Sequence, residues 1–210
     1  MIYGTPRGEL TLIIGNMFAG KTSSLIRMIN DQEEYGRKKV LIFKPDTDTR
    51  SGPSCIKNAH GAAKAAISAP VGKPWDIVEK IKWEEDKALG KFHIIAFDEV
   101  QFFPIYSDFF KVANSILGRG YDIFAAGLAF DFRGEPFGST LLLTGLSRQH
   151  CIWLHSLCTV CNEPAFLPQR FIDGKLAPYD SPQILVGGAE KYEPRCYAHF
   201  VFPKKTKPPT

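Results

Sequence analysis

The stretch Gly15-Asn16-Met17-Phe18-Ala19-Gly20-Lys21-Thr22 lies between an apolar run, Leu10 to Ile14, and a helical pattern from Thr22 to Tyr35. It is a Gly-x4-Gly-Lys-Thr loop in the setting such a loop needs. A strand delivers the chain to a turn whose glycines let the backbone curl, so that successive N–H groups and a helix N-terminus face one anionic pocket. In that pocket the Lys21 ammonium suits the terminal phosphates of a nucleotide, and the Thr22 hydroxyl suits a magnesium ion. The plain alternative, a glycine-rich surface turn, leaves the flanking strand and helix unexplained.

Working outward, Val40 to Phe43 is a second short apolar run. A helix carrying Leu25, Ile26, Met28 and Ile29 and ending at Gly36 separates it from the first. Further strands are expected at His93 to Phe97 and Asp122 to Leu128, with helical patterns around Trp75 to Leu89 and Ser107 to Leu117. Near-continuous apolar strands alternating with helices predict an α/β fold, a parallel sheet covered on both faces with ligands at the carboxyl ends of its strands. After Cys151 the character changes to cysteines, prolines, a turn at Asp173-Gly174 and a strand-like run at Ile184 to Val186. The expected division is an α/β nucleotide-binding domain over 1–151, a small β-rich module over 152–202 and a frayed Pro- and Lys-rich tail over 203–210.

With 210 residues and 44% apolar content, the chain can bury one substantial core and a small appendage. No run approaches the roughly 20 apolar residues of a membrane span, and the N-terminus lacks the flank and core of a signal peptide. A cytoplasmic protein with no membrane partner is expected. Lys204, Lys205 and Lys207 supply three of the four net positive charges, leaving +1 for residues 1 to 203. That balance argues against a basic nucleic-acid-binding face. Five cysteines, an odd number, argue against a secreted disulfide framework.

The segment Ile94-Ile95-Ala96-Phe97-Asp98-Glu99 is an apolar strand ending in two acids. In a phosphate-loop enzyme Asp98 would hold a magnesium-bound water and Glu99 would act as a base. The local pattern leaves open whether Glu99 activates water, as in an ATPase, or an alcohol, as in a kinase. Gln101-Phe102-Phe103 beside the base, and Phe130, Phe132 and Phe137 after the next strand, offer rings for stacking on a nucleobase, although a single Phe is more often core.

Cys158-x-x-Cys161 and Cys196-x-x-His199 form two close pairs separated by 34 residues. Four such ligands predict tetrahedral zinc in a closed, structural site. Cys55 and Cys151 lack partners and read as simple thiols. The residues between the metal pairs would form a loop tied at its base, a plausible lid for a small substrate.

Together these motifs resemble the type II thymidine kinases, a family with a RecA-like α/β domain and a zinc-bearing lasso domain, over essentially the whole chain. The matching segments are the phosphate loop, Asp48-Thr49-Arg50, Asp98 to Phe103, Asp131 to Gly138, the cysteine pairs and Gly187 to Cys196. The resemblance implies transfer of the γ-phosphate of ATP to the 5′-hydroxyl of thymidine, or of deoxyuridine. Glu99 matches the general base, while Lys21, Arg50 and magnesium on Thr22 and Asp98 serve the phosphates. Gly15 to Thr22, Asp98 and Gln101 match positions around ATP and its metal. For the nucleoside, Met17, Phe102, Leu128, Phe132, Phe137, Leu185, Gly187 and Tyr192 match lining positions. Departures from the pattern are Asn16, Ala129, Pro168 and Gln183, which bear on nucleoside selectivity more than on phosphate chemistry. The resemblance further implies a homotetramer and feedback inhibition by thymidine triphosphate. The rival classes are a nucleic-acid-stimulated RecA-like ATPase, which the charge balance disfavours, and a zinc adaptor, which leaves Lys21, Thr22, Asp98 and Glu99 unexplained.

Overall fold

In the computed structural model, residues 7–49, 52, 54–147, 150–184 and 192–205 are described. The chain runs β1 (Leu10–Gly15), α1 (Lys21–Glu34), β2 (Val40–Pro45), β3 (Cys55–Lys57), β4 (Ala63–Ala65) and β5 (Ile67–Ala69). It continues through α2 (Asp76–Lys87), β6 (Ile94–Phe97), α3 (Phe109–Gly118), β7 (Asp122–Gly127), α4 (Thr140–Ser147) and β8 (Cys151–Leu154). Then come β9 (Ser156–Leu157), β10 (Pro164–Ala165), β11 (Leu167–Ile172), β12 (Lys175–Leu176) and β13 (Tyr192–Arg195).

Six of these strands form one sheet in the order β5-β2-β6-β7-β1-β8, every pair parallel. Successive side chains in a strand point to opposite faces, and both faces here are covered. Leu10, Leu12 and Ile14 of β1 join Ile95, Phe97, Ile123 and Ala125 in a core under α2, α3 and α4. Ile13, Ile94, Ala96, Phe124 and Ala126 face the other way, toward Leu25, Ile26 and Ile29 of α1. This double burial is why the strands read as continuous apolar runs.

Five elements of the sheet domain escape the sequence reading. The edge strand β5 is only three residues long. The β3–β4 hairpin contributes little apolar surface beyond Ile56, and α4 is too uniformly apolar for a helical period to stand out. On β8, Ile152 and Trp153 are exposed at the sheet edge. The boundary expected at 151 falls on the first residue of this strand, and the rest of β8 stays with the sheet through its pairing with β1.

Beyond β8 the strands become short and antiparallel. β9 pairs with β10, and β11 lies between β12 and β13. Asp173 and Gly174 form the turn joining β11 to β12, both at positive φ (50° and 72°), the backbone that a two-residue hairpin loop demands. Of the run expected at Ile184 to Val186, Ile184 is irregular, and Leu185 and Val186 lie outside the described residues. Among the described residues no helix is long and apolar enough to cross a membrane.

Candidate active site

The phosphate loop leaves the sheet at Gly15, where a Cβ would sit 2.8 Å from the carbonyl oxygen of Leu154 on the neighbouring strand. Only glycine allows that approach. At the other end Gly20 takes φ 80°, a left-handed turn that starts α1 at Lys21. The first turn of this helix carries no acidic side chain, so its N-terminal N–H groups keep their preference for an external anion. Phe18 is exposed at the rim of the loop, also at positive φ. Asn16 is buried beneath it; its Oδ1 accepts from Met17 N (2.8 Å) and its Nδ2 donates to Leu167 O on β11 (3.0 Å). Lys21, also buried, donates to Asn16 O at 2.9 Å and so lies along the loop.

Beside it, β6 ends in Asp98 and Glu99, 4% and 7% exposed. Glu99 holds φ 54°, a left-handed conformation costing about 1–2 kcal/mol for a residue with a Cβ. Its surroundings over-determine that geometry. Glu99 N donates to Asp98 Oδ1 at 3.0 Å, and Gln101 Nε2 donates to the Glu99 carboxylate. Gln101 Oε1 in turn accepts from Leu128 N at 3.0 Å, so the amide ties Glu99 to the end of β7. Gly138 makes room for this arrangement, since a Cβ there would lie 1.9 Å from Gln101 O. Thr22 Oγ1 donates to Asp98 Oδ2 at 3.0 Å. That hydroxyl–carboxylate pair fits a hard cation that takes its other ligands from phosphate and water.

A cavity of about 550 Å³ begins at Phe18, Gly20, Lys21 and Thr22, passes Glu99 and opens into an aromatic compartment. Met17, Phe102, Leu128, Phe132, Phe137 and Tyr192 all line it, as do Pro168 and Gln183. Its volume suits a small molecule largely enclosed. Phe102 and Phe137 meet edge to face, 6.1 Å apart. An adjoining cavity of about 320 Å³ is lined by Thr22, Asp48, Asp98, Glu99 and the hairpin residues Lys57, Asn58 and Ala59. The sequence candidates Arg50, Leu185 and Gly187 lie outside the described residues.

Three features were not assigned from sequence. Asp131, buried at the aromatic compartment, accepts from Arg133 Nη1 (3.1 Å) and Gln183 Nε2 (2.9 Å), tying Gln183 to the loop after β7. Arg170 is fully buried, with its guanidinium carbon 3.4 Å from the Phe132 ring centroid and Nη1 donating to Pro182 O at 2.7 Å. The tip of the β3–β4 hairpin reaches both cavities. For Asp131 a signal existed, since it opens the matched segment Asp131 to Gly138; the other two are set by tertiary neighbours alone.

In the C-terminal module the ligand atoms of Cys158, Cys161, Cys196 and His199 all lie within 4.8 Å of one another. Sγ of Cys161 and Cys196 are 3.7 Å apart, and His199 Nδ1 is 3.9 Å from Cys158 Sγ and 3.3 Å from Cys196 Sγ. Zinc bonds of 2.0–2.3 Å at tetrahedral angles give edges of about 3.6–3.8 Å, so the donor set fits zinc. Burial opposes ionisation of Cys158, but hydrogen bonds from the Cys196, Val160 and Cys161 backbone prevail and bring its thiol down to about 6. A backbone hydrogen bond at Glu163 favours the Cys161 thiolate, yet burial and the sulfurs of Cys196 and Cys158 raise it. The Cys158 and Cys161 sulfurs do not both ionise readily without a shared cation.

A family model described as thymidine kinase matches residues 8–200. A thymidine kinase of Thermococcus kodakarensis is 38% identical over 198 residues, covering 94% of this chain and 96% of that protein. Among solved structures, domain III of the Thermotoga maritima replication initiation protein DnaA has a TM-score of 0.41 and 16% identity, over 72% of this chain and 56% of that one. The Legionella pneumophila ATPase DotB has a TM-score of 0.40 and 14% identity, over 74% of this chain and 43% of that one. The matched family region begins before the phosphate-loop strand and ends after the last zinc-type ligand, taking in both sides of the cavity: the chain is an enzyme that belongs to the thymidine kinase family.

Proposed function

We propose that this enzyme transfers the γ-phosphate of ATP to the 5′-hydroxyl of thymidine, and of deoxyuridine, releasing ADP and the nucleoside monophosphate. The observation that carries this reading is the single cavity joining the phosphate loop to the aromatic compartment, with the Glu99 carboxylate at the junction. A nucleotide's phosphates on the loop and a nucleoside among the rings would bring the two reacting groups together there.

Glu99 accepts the hydroxyl proton as the oxygen attacks in line, and Gln101 holds the carboxylate in place for it. Lys21 and the α1 N-terminus neutralise charge on the transferred group, with Arg50 assigned the same task by family resemblance. Thr22 and Asp98 would hold a magnesium ion, which would supply further neutralisation of the phosphate charge. Met17, Phe102, Leu128, Phe132, Phe137 and Tyr192 enclose the base, and Leu185 and Gly187 complete the pocket by resemblance. A pocket of this kind rejects cytosine by leaving its own polar groups unpaired, whereas uracil differs by one methyl worth about 1–3 kcal/mol. Zinc on Cys158, Cys161, Cys196 and His199 ties the module together. Assembly as a homotetramer in the cytoplasm, with inhibition by thymidine triphosphate, belongs to the same reading.

The test is magnesium-dependent ADP release from ATP with thymidine, deoxyuridine, deoxycytidine or single-stranded DNA added separately. Thymidine 5′-monophosphate should form, deoxyuridine should follow, and deoxycytidine should fail. Release of free phosphate that only DNA stimulates would assign Glu99 to water and replace the kinase with an ATPase.

A further inference from the structure

Among the described residues lining the second cavity, Lys57 is the one cation, alongside the carboxylates of Asp48, Asp98 and Glu99. It also borders the first cavity together with Lys21 and Thr22. Nothing in its sequence context marks it, since it lies in a stretch with no phosphate motif.

The hairpin that carries it is anchored. Ile56 and Ala66 are buried in the core beneath α1 and do the anchoring, while the partly exposed Lys64–Glu33 pair adds little to it. Strand alternation turns Lys57 away from buried Ile56. One residue later Asn58 locks the turn, its Oδ1 accepting from His60 N at 3.0 Å and Ala62 N at 2.9 Å. At the hairpin's base, buried Lys44 donates to Gly52 O (2.9 Å) and Cys55 O (3.3 Å). Lys44 is thereby committed to holding the loop. The Lys57 side chain makes no hydrogen bond or ion pair among the described residues.

Phosphoryl transfer spreads negative charge over the γ-oxygens, and catalysis comes mostly from cations fixed around them. Resting on the phosphotransfer reading above, we propose that Lys57 is a substrate-contacting residue: its ammonium binds the γ-phosphate from the hairpin side, complementing Lys21 on the loop. Nothing in the family resemblance assigns this position a role.

Lys57→Met, Lys57→Arg and Lys64→Met variants of the full, zinc-loaded chain test this. With thymidine as acceptor, Lys57→Met should lower kcat/KM for ATP by about 10- to 100-fold while the KM for thymidine stays within about twofold. Calorimetry should find ATP binding weakened and ADP binding preserved. Lys57→Arg should recover most of the loss, and Lys64→Met should behave as wild type. Unchanged kcat/KM in Lys57→Met, equal weakening of ATP and ADP, or the same loss in Lys64→Met would overturn the assignment. A wild-type enzyme that forms no thymidine monophosphate would instead sink the kinase reading itself, and this proposal with it.

Discussion

The two parts of the molecule hold themselves together by different means. The sheet buries apolar side chains on both faces, in two extended clusters under α1 and under α2 to α4. Among the described residues the C-terminal module buries only small apolar groups: Ala177 and Tyr192 against Phe132, Cys158 with Ala165 and Cys196, and Leu167 and Phe200. Groups this small offset little of the chain entropy of the module's described positions, at about 1–2 kcal/mol each. The module relies on cross-links: the Cys3His set, the Gln183 bond to Asp131, and the Arg170 and Arg133 bonds to backbone carbonyls. Packing defends the phosphate side, and a few bonds defend the nucleoside side.

Cutting one cross-link tests this contrast most severely. Structural zinc contributes on the order of 10 kcal/mol to small modules. Cys158→Ser should therefore strip the metal, raise the KM for thymidine by more than about tenfold and leave ATP affinity near wild type, read by metal analysis and calorimetry. Normal thymidine affinity in a zinc-free variant would erase the distinction. At the seam between the parts, Glu99→Gln should preserve ATP binding and cut turnover by about 10² to 10⁴; undiminished turnover would remove Glu99 as the base. Gln101→Ala leaves the Glu99 carboxylate and Leu128 N without their partner, at a cost of about 1–3 kcal/mol. We expect turnover to fall by roughly tenfold without loss of zinc.

The smallest expected effect lies in the sheet domain. Burial, then the hydrogen bond to Glu85, raises the Tyr121 hydroxyl from its ordinary 10.0 to about 12. Its folded-state pKa exceeds the unfolded value, so its stabilisation is fully present below about pH 10 and is lost as pH rises toward 12. Tyr121→Phe should cost about 1 kcal/mol at pH 8, with the difference shrinking above pH 10 in denaturant titrations. A constant difference across that range would show that packing, not the hydroxyl, matters.

What was legible in the sequence follows the same contrast. The strands β1, β2, β6 and β7 were readable because double burial demands apolar runs, and the phosphate loop because its backbone demands glycine at Gly15 and Gly20. The cysteine pairs were readable because chelation demands close spacing. The β3–β4 hairpin was not, since Ile56 is its sole fully buried strand residue and gives no alternation. The contacts that Asp131 and Arg170 make were opaque for a related reason. Their partners, Gln183 and Phe132, stand far off in sequence, and only the folded chain brings them together.

Asn16 and Met17 carry one more lesson. Both occupy variable positions of the phosphate loop, yet Asn16 bonds to Leu167 of the module and Met17 packs against the Phe132, Ala177 and Tyr192 cluster. The loop is thus a shared border, its glycines and Lys21 forming the phosphate-loop end of the cavity and its variable residues meeting β11 and the aromatic cluster. It is not an interchangeable cassette. A loop transplanted from another nucleotide-binding protein would bring its glycines and lysine intact and still leave this enzyme without one wall of its nucleoside site.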